Sequence, residues 1–96
     1  MSVKHRTYFD GSVQSLELST REGRATVGVI EPGRFRFDSD EEERIRVVAG
    51  AIRVRLVGSR DWREYRPGDV CVIPPNAHFD IEADEHAAYL CHYLGR

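Results

Sequence analysis

Glu43-Arg44-Ile45-Arg46-Val47-Val48-Ala49-Gly50-Ala51-Ile52-Arg53-Val54-Arg55-Leu56 reads as two strands and the break between them. Ile45 to Val48 forms the first. In the second, Ile52, Val54 and Leu56 alternate with Arg53 and Arg55. A period of two sends the apolar side chains to one face of a pleated strand and the arginines to the other, whereas a helix needs a period near 3.6. The break falls at Ala49-Gly50, where glycine punctuates the pattern.

The same reading extends in both directions. Upstream, after the turn Glu31-Pro32-Gly33, Phe35 and Phe37 share one face and Arg34 and Arg36 the other. The acidic stretch Asp38 to Glu43 then interrupts the alternation, and Ser39 with Glu42 is spaced to cap one helical turn there. Further back, Val13 to Leu18 and Arg24 to Ile30 alternate on either side of the turn Thr20 to Gly23, which makes a hairpin. Downstream, Trp62 to Tyr65 follows the break Gly58 to Asp61, and Pro67-Gly68-Asp69 is the next turn. Val70 to Ile73 is a continuous apolar run, as in a strand buried on both faces, and it ends at Pro74-Pro75-Asn76. Phe79 and Ile81 alternate with Asp80 and Glu82, and Ala87 to Leu94 closes the chain. Short strands and turn signals at short intervals predict an all-β sandwich or barrel. No linker, internal repeat or low-complexity tail divides residues 1–96, so one domain is expected, with its barrel over about residues 8–94. A core this small gains from an oligomer interface.

Charge and composition exclude several partners. The formal net charge of -2 comes from interspersed acids and bases, which leaves no basic face for nucleic acid phosphates. No apolar run is long enough to cross a bilayer, and Met1 to Asp10 lacks the apolar core of a signal peptide, so no membrane partner and a cytoplasmic location are expected. Cys71 and Cys91 are far apart, lack CxxC spacing and sit among apolar residues, which reads as reduced core thiols.

Two spacings, Glu43 to Gly50 with six residues between and Gly68 to Pro74 with five, resemble the two halves of the cupin signature. That resemblance implies a double-stranded β-helix, a jelly-roll barrel with a pocket inside. Metal-binding cupins carry a His-x-His pair shortly before the glutamate and a histidine five residues after the proline. Here Arg34, Phe35, Arg36 and Phe37 occupy the first region and Phe79 the later position, while His78, one residue off, turns to the opposite face of a strand. No metal is therefore expected. The chain is further similar to the small pyrimidine/purine nucleoside phosphorylase family. The residues that carry this are Tyr8-Phe9-Asp10-Gly11, Gly23-Arg24-Ala25-Thr26-Val27-Gly28-Val29, Pro32-Gly33-x-Phe35-x-Phe37, Gly58-Ser59-x-x-Trp62 and Tyr89-Leu90-Cys91-x-Tyr93, in the same order across nearly the whole chain. The resemblance implies a homodimeric cupin and pentosyltransferase that splits purine and pyrimidine ribonucleosides into free base and ribose 1-phosphate. Its partners would be nucleosides and inorganic phosphate, the phosphate being a co-substrate and no cofactor being needed. The sequence departs from the family pattern at Ala49, at Val57 and at Ala77-His78, which bears on substrate preference.

Phosphorolysis of a glycosidic bond builds positive charge on the ribose, and the phosphate must attack from the side opposite the departing base. Arg24 and Thr26, on one strand face, are the candidates for phosphate; the other reading of Arg24 is a surface arginine in a hairpin. Glu43, at the position where cupins turn a carboxylate into the barrel, is the candidate for the charge beside the forming cation; otherwise Glu41, Glu42 and Glu43 are a solvated acidic turn. A site open to many bases stacks the ring on aromatic faces, for which Phe35, Phe37, Tyr89 and Tyr93 are candidates, at least half of them serving as packing. Glu43 and Arg24 form the expected catalytic pair, and Ser39 joins Arg24, Thr26 and the four aromatics as a substrate contact. His5, His78, His86 and His92 read as terminus, loop, loop and strand edge, and none is assigned.

Two other readings compete with catalysis by phosphate. One is a metal-free cupin that binds a small ligand or a partner without catalysis, since one fold hosts many functions. The other is a metal-dependent cupin, which would need Glu43, His78 and Cys71 to converge.

Overall fold

The expected hairpin forms from β2 (Val13–Thr20) and β3 (Gly23–Ile30), paired in register from Val13 opposite Ile30 to Thr20 opposite Gly23. The computed structural model describes residues 2–95. Its other strands are β1 (His5–Tyr8), β4 (Gly33–Asp38), β5 (Glu43–Ala49), β6 (Ile52–Leu56), β7 (Arg63–Tyr65), β8 (Val70–Ile73), β9 (His78–Ala83) and β10 (Ala87–Tyr93). They build two antiparallel sheets, one of six strands in the order β1-β2-β3-β10-β5-β8 and one of four in the order β4-β9-β6-β7. The sheets face each other as a β-barrel. Among the described residues no helix is long and apolar enough to cross a membrane.

Period-two alternation decides which side chains face inward. Val13, Ile30, Ile45, Val47, Ile52, Val54, Ile73, Phe79 and Ile81 are buried from both sheets, and each such side chain contributes about 1.5–3 kcal/mol by leaving water. The same period of two turns Arg24 and Thr26 of β3, Glu43 of β5, and Tyr89 and Tyr93 of β10 to the side of the buried positions Ile30, Ile45 and Cys91. A hollow opens beside the core, with Glu43, Tyr89 and Tyr93 in its lining together with Ile30, Ile45, Phe79 and Ile81.

Three expectations change. The strand β1 had no alternating apolar signature, because its four residues are all exposed and it adds to the sheet edge through backbone pairing with β2. No helical turn forms at residues 39–42, because the Ser39 hydroxyl is used elsewhere: it donates to the Pro74 carbonyl at 2.7 Å and accepts from the Ala77 N–H at 3.0 Å. Val70 to Ile73 is not buried on both faces. As the edge strand β8 it hides Cys71 and Ile73 and leaves Val70 and Val72 exposed.

Candidate active site

The hollow begins at a strained turn. Phe9 and Asp10 both adopt left-handed backbone (φ 54° and 55°), followed by Gly11 at φ 92°. Such a conformation costs about 1–3 kcal/mol per non-glycine residue and persists only where surrounding contacts hold it. Here the contacts are aromatic: the Phe9 ring lies 5.1 Å from Phe35 and 5.5 Å from Phe37 between centroids. Phe37 in turn stacks on Phe79 at 5.8 Å and meets Tyr8 edge-on at 6.3 Å. One wall of a cavity of about 250 Å³ is thus aromatic, with Tyr89 and Tyr93 among its other lining residues and Ile30, Ile45 and Ile81 as its apolar base.

Tyr89 owes its position to a missing side chain. It pairs with Gly28 across β10 and β3, and a Cβ at Gly28 would fall 2.4 Å from the Tyr89 ring. The phenol end of the ring therefore occupies the space over the Gly28 Cα, and Tyr89 lines the hollow from there. Burial pushes the Tyr89 and Tyr93 phenols up, so both stay protonated donors.

Beside the hollow is a polar vestibule of about 190 Å³, where Arg6, Glu17, Arg24, Thr26 and Glu41 contribute lining. The Arg24 guanidinium sits over the Tyr93 ring at 4.4 Å, and the Tyr93 hydroxyl is 3.1 Å from Thr26 Oγ1. Tyr93 is thereby fixed by a cation on its face and a hydroxyl at its tip. Glu43, Tyr93, Tyr8 and Asp38 line both compartments. Burial pushes the Glu43 carboxyl up, against a downward pull from the Cys91 thiol that donates to it, and Glu41 and Asp40 add to the rise.

Of the residues singled out from sequence, Arg24, Thr26, Phe37, Glu43, Tyr89 and Tyr93 come together around the two compartments. Phe35 and Ser39 do not. Phe35 packs against the core beneath Phe9 rather than lining the hollow, and buried Ser39 spends its hydroxyl on Pro74 and Ala77. His78 starts β9 on the exposed side and bonds Asp38. His92 lies within β10, an interior strand, rather than at an edge. Among the described residues no cluster of three or more His, Cys, Asp or Glu could hold a metal ion. Ala49, Val57 and His78, the departures from the family pattern, line neither compartment.

Sequence reasoning missed Tyr8, Phe9, Arg6 and Cys91 as cavity residues. The signal available was the non-alternating Tyr8-Phe9-Asp10-Gly11, whose two adjacent aromatics fit no strand face. Cys91 carried none, since a buried thiol in a strand looks the same whether it packs or donates.

A family model described as pyrimidine/purine nucleoside phosphorylase matches residues 3–93. A pyrimidine/purine nucleoside phosphorylase of Sorangium cellulosum is 42% identical over 92 residues, which is 96% of this chain and 99% of that protein. A crystal structure of a protein of unknown function from Vibrio parahaemolyticus superposes with a TM-score of 0.92 at 37% identity, over 98% of this chain and 100% of that one. An ethanolamine utilization protein of Salmonella typhimurium, 19% identical, shares the cupin-like fold with a TM-score of 0.73 over 94% of this chain and 91% of that one.

Proposed function

This chain belongs to the pyrimidine/purine nucleoside phosphorylase family, and from that premise we propose that it transfers the ribosyl group of purine and pyrimidine nucleosides to inorganic phosphate. A phosphate oxygen forms a bond to C1′, the glycosidic C–N bond breaks, its electron pair leaves with the base, and the base nitrogen takes up the proton that the hydrogen phosphate gives up, so that ribose 1-phosphate and the neutral free base result. One observation carries the assignment of parts: Glu43 and Tyr93 line both the aromatic hollow and the charged vestibule. A nucleoside in the hollow and a phosphate beside Arg24 then meet at the Glu43 carboxylate.

The roles follow from what each surface offers. Phe37 and Tyr89 present aromatic faces that accept either class of base without reading its edge. Arg24, with the Thr26 hydroxyl beside it, offers the fork that binds phosphate. Glu43 supplies negative charge beside the cation that develops at C1′, in a site where burial strengthens the interaction. No cofactor enters this reaction, because phosphate is both nucleophile and counter-charge. The enzyme works in the cytoplasm, where phosphate and nucleosides are both present.

The working form is a homodimer. This is supported by the outer face of the six-stranded sheet, where Leu16, Val27, Val29, Val48, Val70 and Val72 are all exposed. Leu16 and Leu90 flank Val27 in register on the neighbouring strands, so the apolar surface is contiguous across β2, β3 and β10, while Arg46 and Arg44 of β5 separate it from Val70 and Val72. Contiguous apolar area of this kind marks an interface.

The test is chemical. Pure protein incubated with uridine or inosine should release uracil or hypoxanthine in the presence of phosphate and none in its absence. Intact nucleoside after incubation of folded protein with phosphate would reject the assignment, and equal base release without phosphate would replace phosphorolysis with hydrolysis.

A further inference from the structure

The Arg24 guanidinium already holds a carboxylate of its own chain. Its Nη2 donates to Glu41 Oε2 at 2.6 Å, its Nη1 lies 3.9 Å from Glu17 Oε1, and one flat face rests on Tyr93. A guanidinium meets phosphate with the same donors it offers a carboxylate. The Nη2 edge that a phosphate would use is therefore taken. The surroundings add to the conflict: two guanidiniums, Arg6 and Arg24, share the vestibule with five carboxylates, Glu17, Asp38, Asp40, Glu41 and Glu43.

The chain on either side keeps Glu41 in place. Ser39 is tied to Pro74 and Ala77, and the Leu94 N–H donates to the Glu42 carbonyl at 2.9 Å. Behind the carboxylate, a Cβ at Gly95 would fall 2.3 Å from Glu41 Oε1. Only a residue without a side chain leaves that carboxylate where it is. The Glu41 side chain is 17% exposed, against 42% for Arg24, so Glu41 covers the guanidinium from a sheltered position.

We propose that Glu41 is an internal anion in the place of phosphate on Arg24, so that phosphate binds by displacing the Glu41 carboxylate and Glu41 sets the affinity for phosphate. The inference rests on Arg24 as the phosphate contact of the reading above. The displacement is a rotation of the Glu41 side chain while the backbone of residues 39–42 stays pinned, and no covalent bond changes. Phosphate exchanges one anion for another on the guanidinium, and the released carboxylate returns to water.

The test is a calorimetric titration of the full chain with inorganic phosphate, without nucleoside, at low salt. Glu41→Gln keeps the shape and removes the charge, and its phosphate Kd should tighten about fivefold, as expected for one partly exposed ion pair. Asp40→Asn removes a charge from the same turn but not from Arg24, and should change Kd less than about twofold. In an Arg24→Ala background the Glu41→Gln effect should vanish. Thermal melts confirm that each variant is folded, and Glu41→Asp, which keeps the charge but shortens the reach, should give an intermediate tightening. An unchanged Kd in Glu41→Gln, equal tightening in Asp40→Asn, or tightening that survives loss of Arg24 would overturn the displacement. Phosphorolysis assayed in parallel separates the two ideas. Phosphate-dependent base release with no Kd change keeps the enzyme and discards the displacement, whereas tightening in a protein that releases no base keeps the displacement and discards the enzyme.

Discussion

The Cys91 thiol donates to Glu43 inside the barrel, with Sγ 3.6 Å from Oε1. The contact follows from register: Glu43 pairs with Tyr93 across β5 and β10, and Cys91 lies two residues back on the same inward face. Burial and the neighbouring Glu43 carboxylate push the thiol up, so it stays protonated at neutral pH. Cys91 is therefore a hydrogen-bond donor that orients a carboxylate rather than a nucleophile, since only the thiolate attacks.

Replacing Glu43 by Gln keeps the contact with Cys91 and removes the charge. Turnover should fall about 100-fold, the usual loss for one preorganised electrostatic group. Stability should move the other way. A carboxyl whose folded pKa lies above its unfolded value destabilises the fold at pH above that folded pKa, and the penalty fades as pH falls through it towards 4.5. Glu43→Gln should thus melt about 3 °C higher than the parent at pH 7, with the gap closing on acidification. Steady-state kinetics and a pH series of melting curves check both signs.

Gly28→Ala places a methyl group 2.4 Å from the Tyr89 ring. The ring must then tilt into the hollow. Activity should fall more for inosine than for uridine, because the larger base needs the space, and stability should fall by about 1–3 kcal/mol from overpacking. Paired kcat/KM values for the two nucleosides decide it: equal losses would mean that Tyr89 does not shape the base pocket.

Much of the barrel was legible from alternation alone. Ile45, Val47, Ile52 and Val54 face the core because their neighbours are arginines, and no other register hides the one set and solvates the other. Glu43 was legible only through its spacing to Gly50, since three successive glutamates carry no sign of which one turns inward. Phe35 and Phe37 looked equivalent. Phe9 packs on both rings, but only Phe37 also meets Tyr8 and Phe79 and lines the cavity, and such long-range contacts have no local signature. The apolar Val70 to Ile73 suggested a fully buried strand, whereas Val70 and Val72 belong to the outer face of the six-stranded sheet, whose exposed apolar surface becomes legible only when the strands are assembled.

On the outer face of the four-stranded sheet, buried Asp80 accepts from Arg36 at 2.9 and 3.3 Å and from Arg55 at 3.2 Å. Arg36 and Arg55 hold its carboxyl below the usual range, as Arg53 and Arg34 do for Glu82. A carboxyl depressed in the folded state stabilises above its unfolded pKa and loses that contribution as pH falls through the folded value. Asp80→Asn should cost about 1–2 kcal/mol at pH 7, with the deficit shrinking below pH 3.8. Urea unfolding at several pH values measures this.

The proposed dimer face is open to a simple test. Val27 is 44% exposed between Leu16 and Leu90, so Val27→Asp should convert a dimer to a monomer in light scattering. Loss of intrinsic monomer stability should stay within about 0.5 kcal/mol, as for other surface changes. A variant that remains dimeric would move the interface to another face.

The most direct measurement is a crystal structure of the chain soaked with inorganic phosphate and a nucleoside whose glycosidic bond cannot be cleaved. Phosphate should lie within about 3 Å of the Arg24 guanidinium, with the base between Phe37 and Tyr89 and the ribose C1′ between the anion and the base beside Glu43. Phosphate bound away from Arg24, or a nucleoside held outside the aromatic hollow, would contradict it.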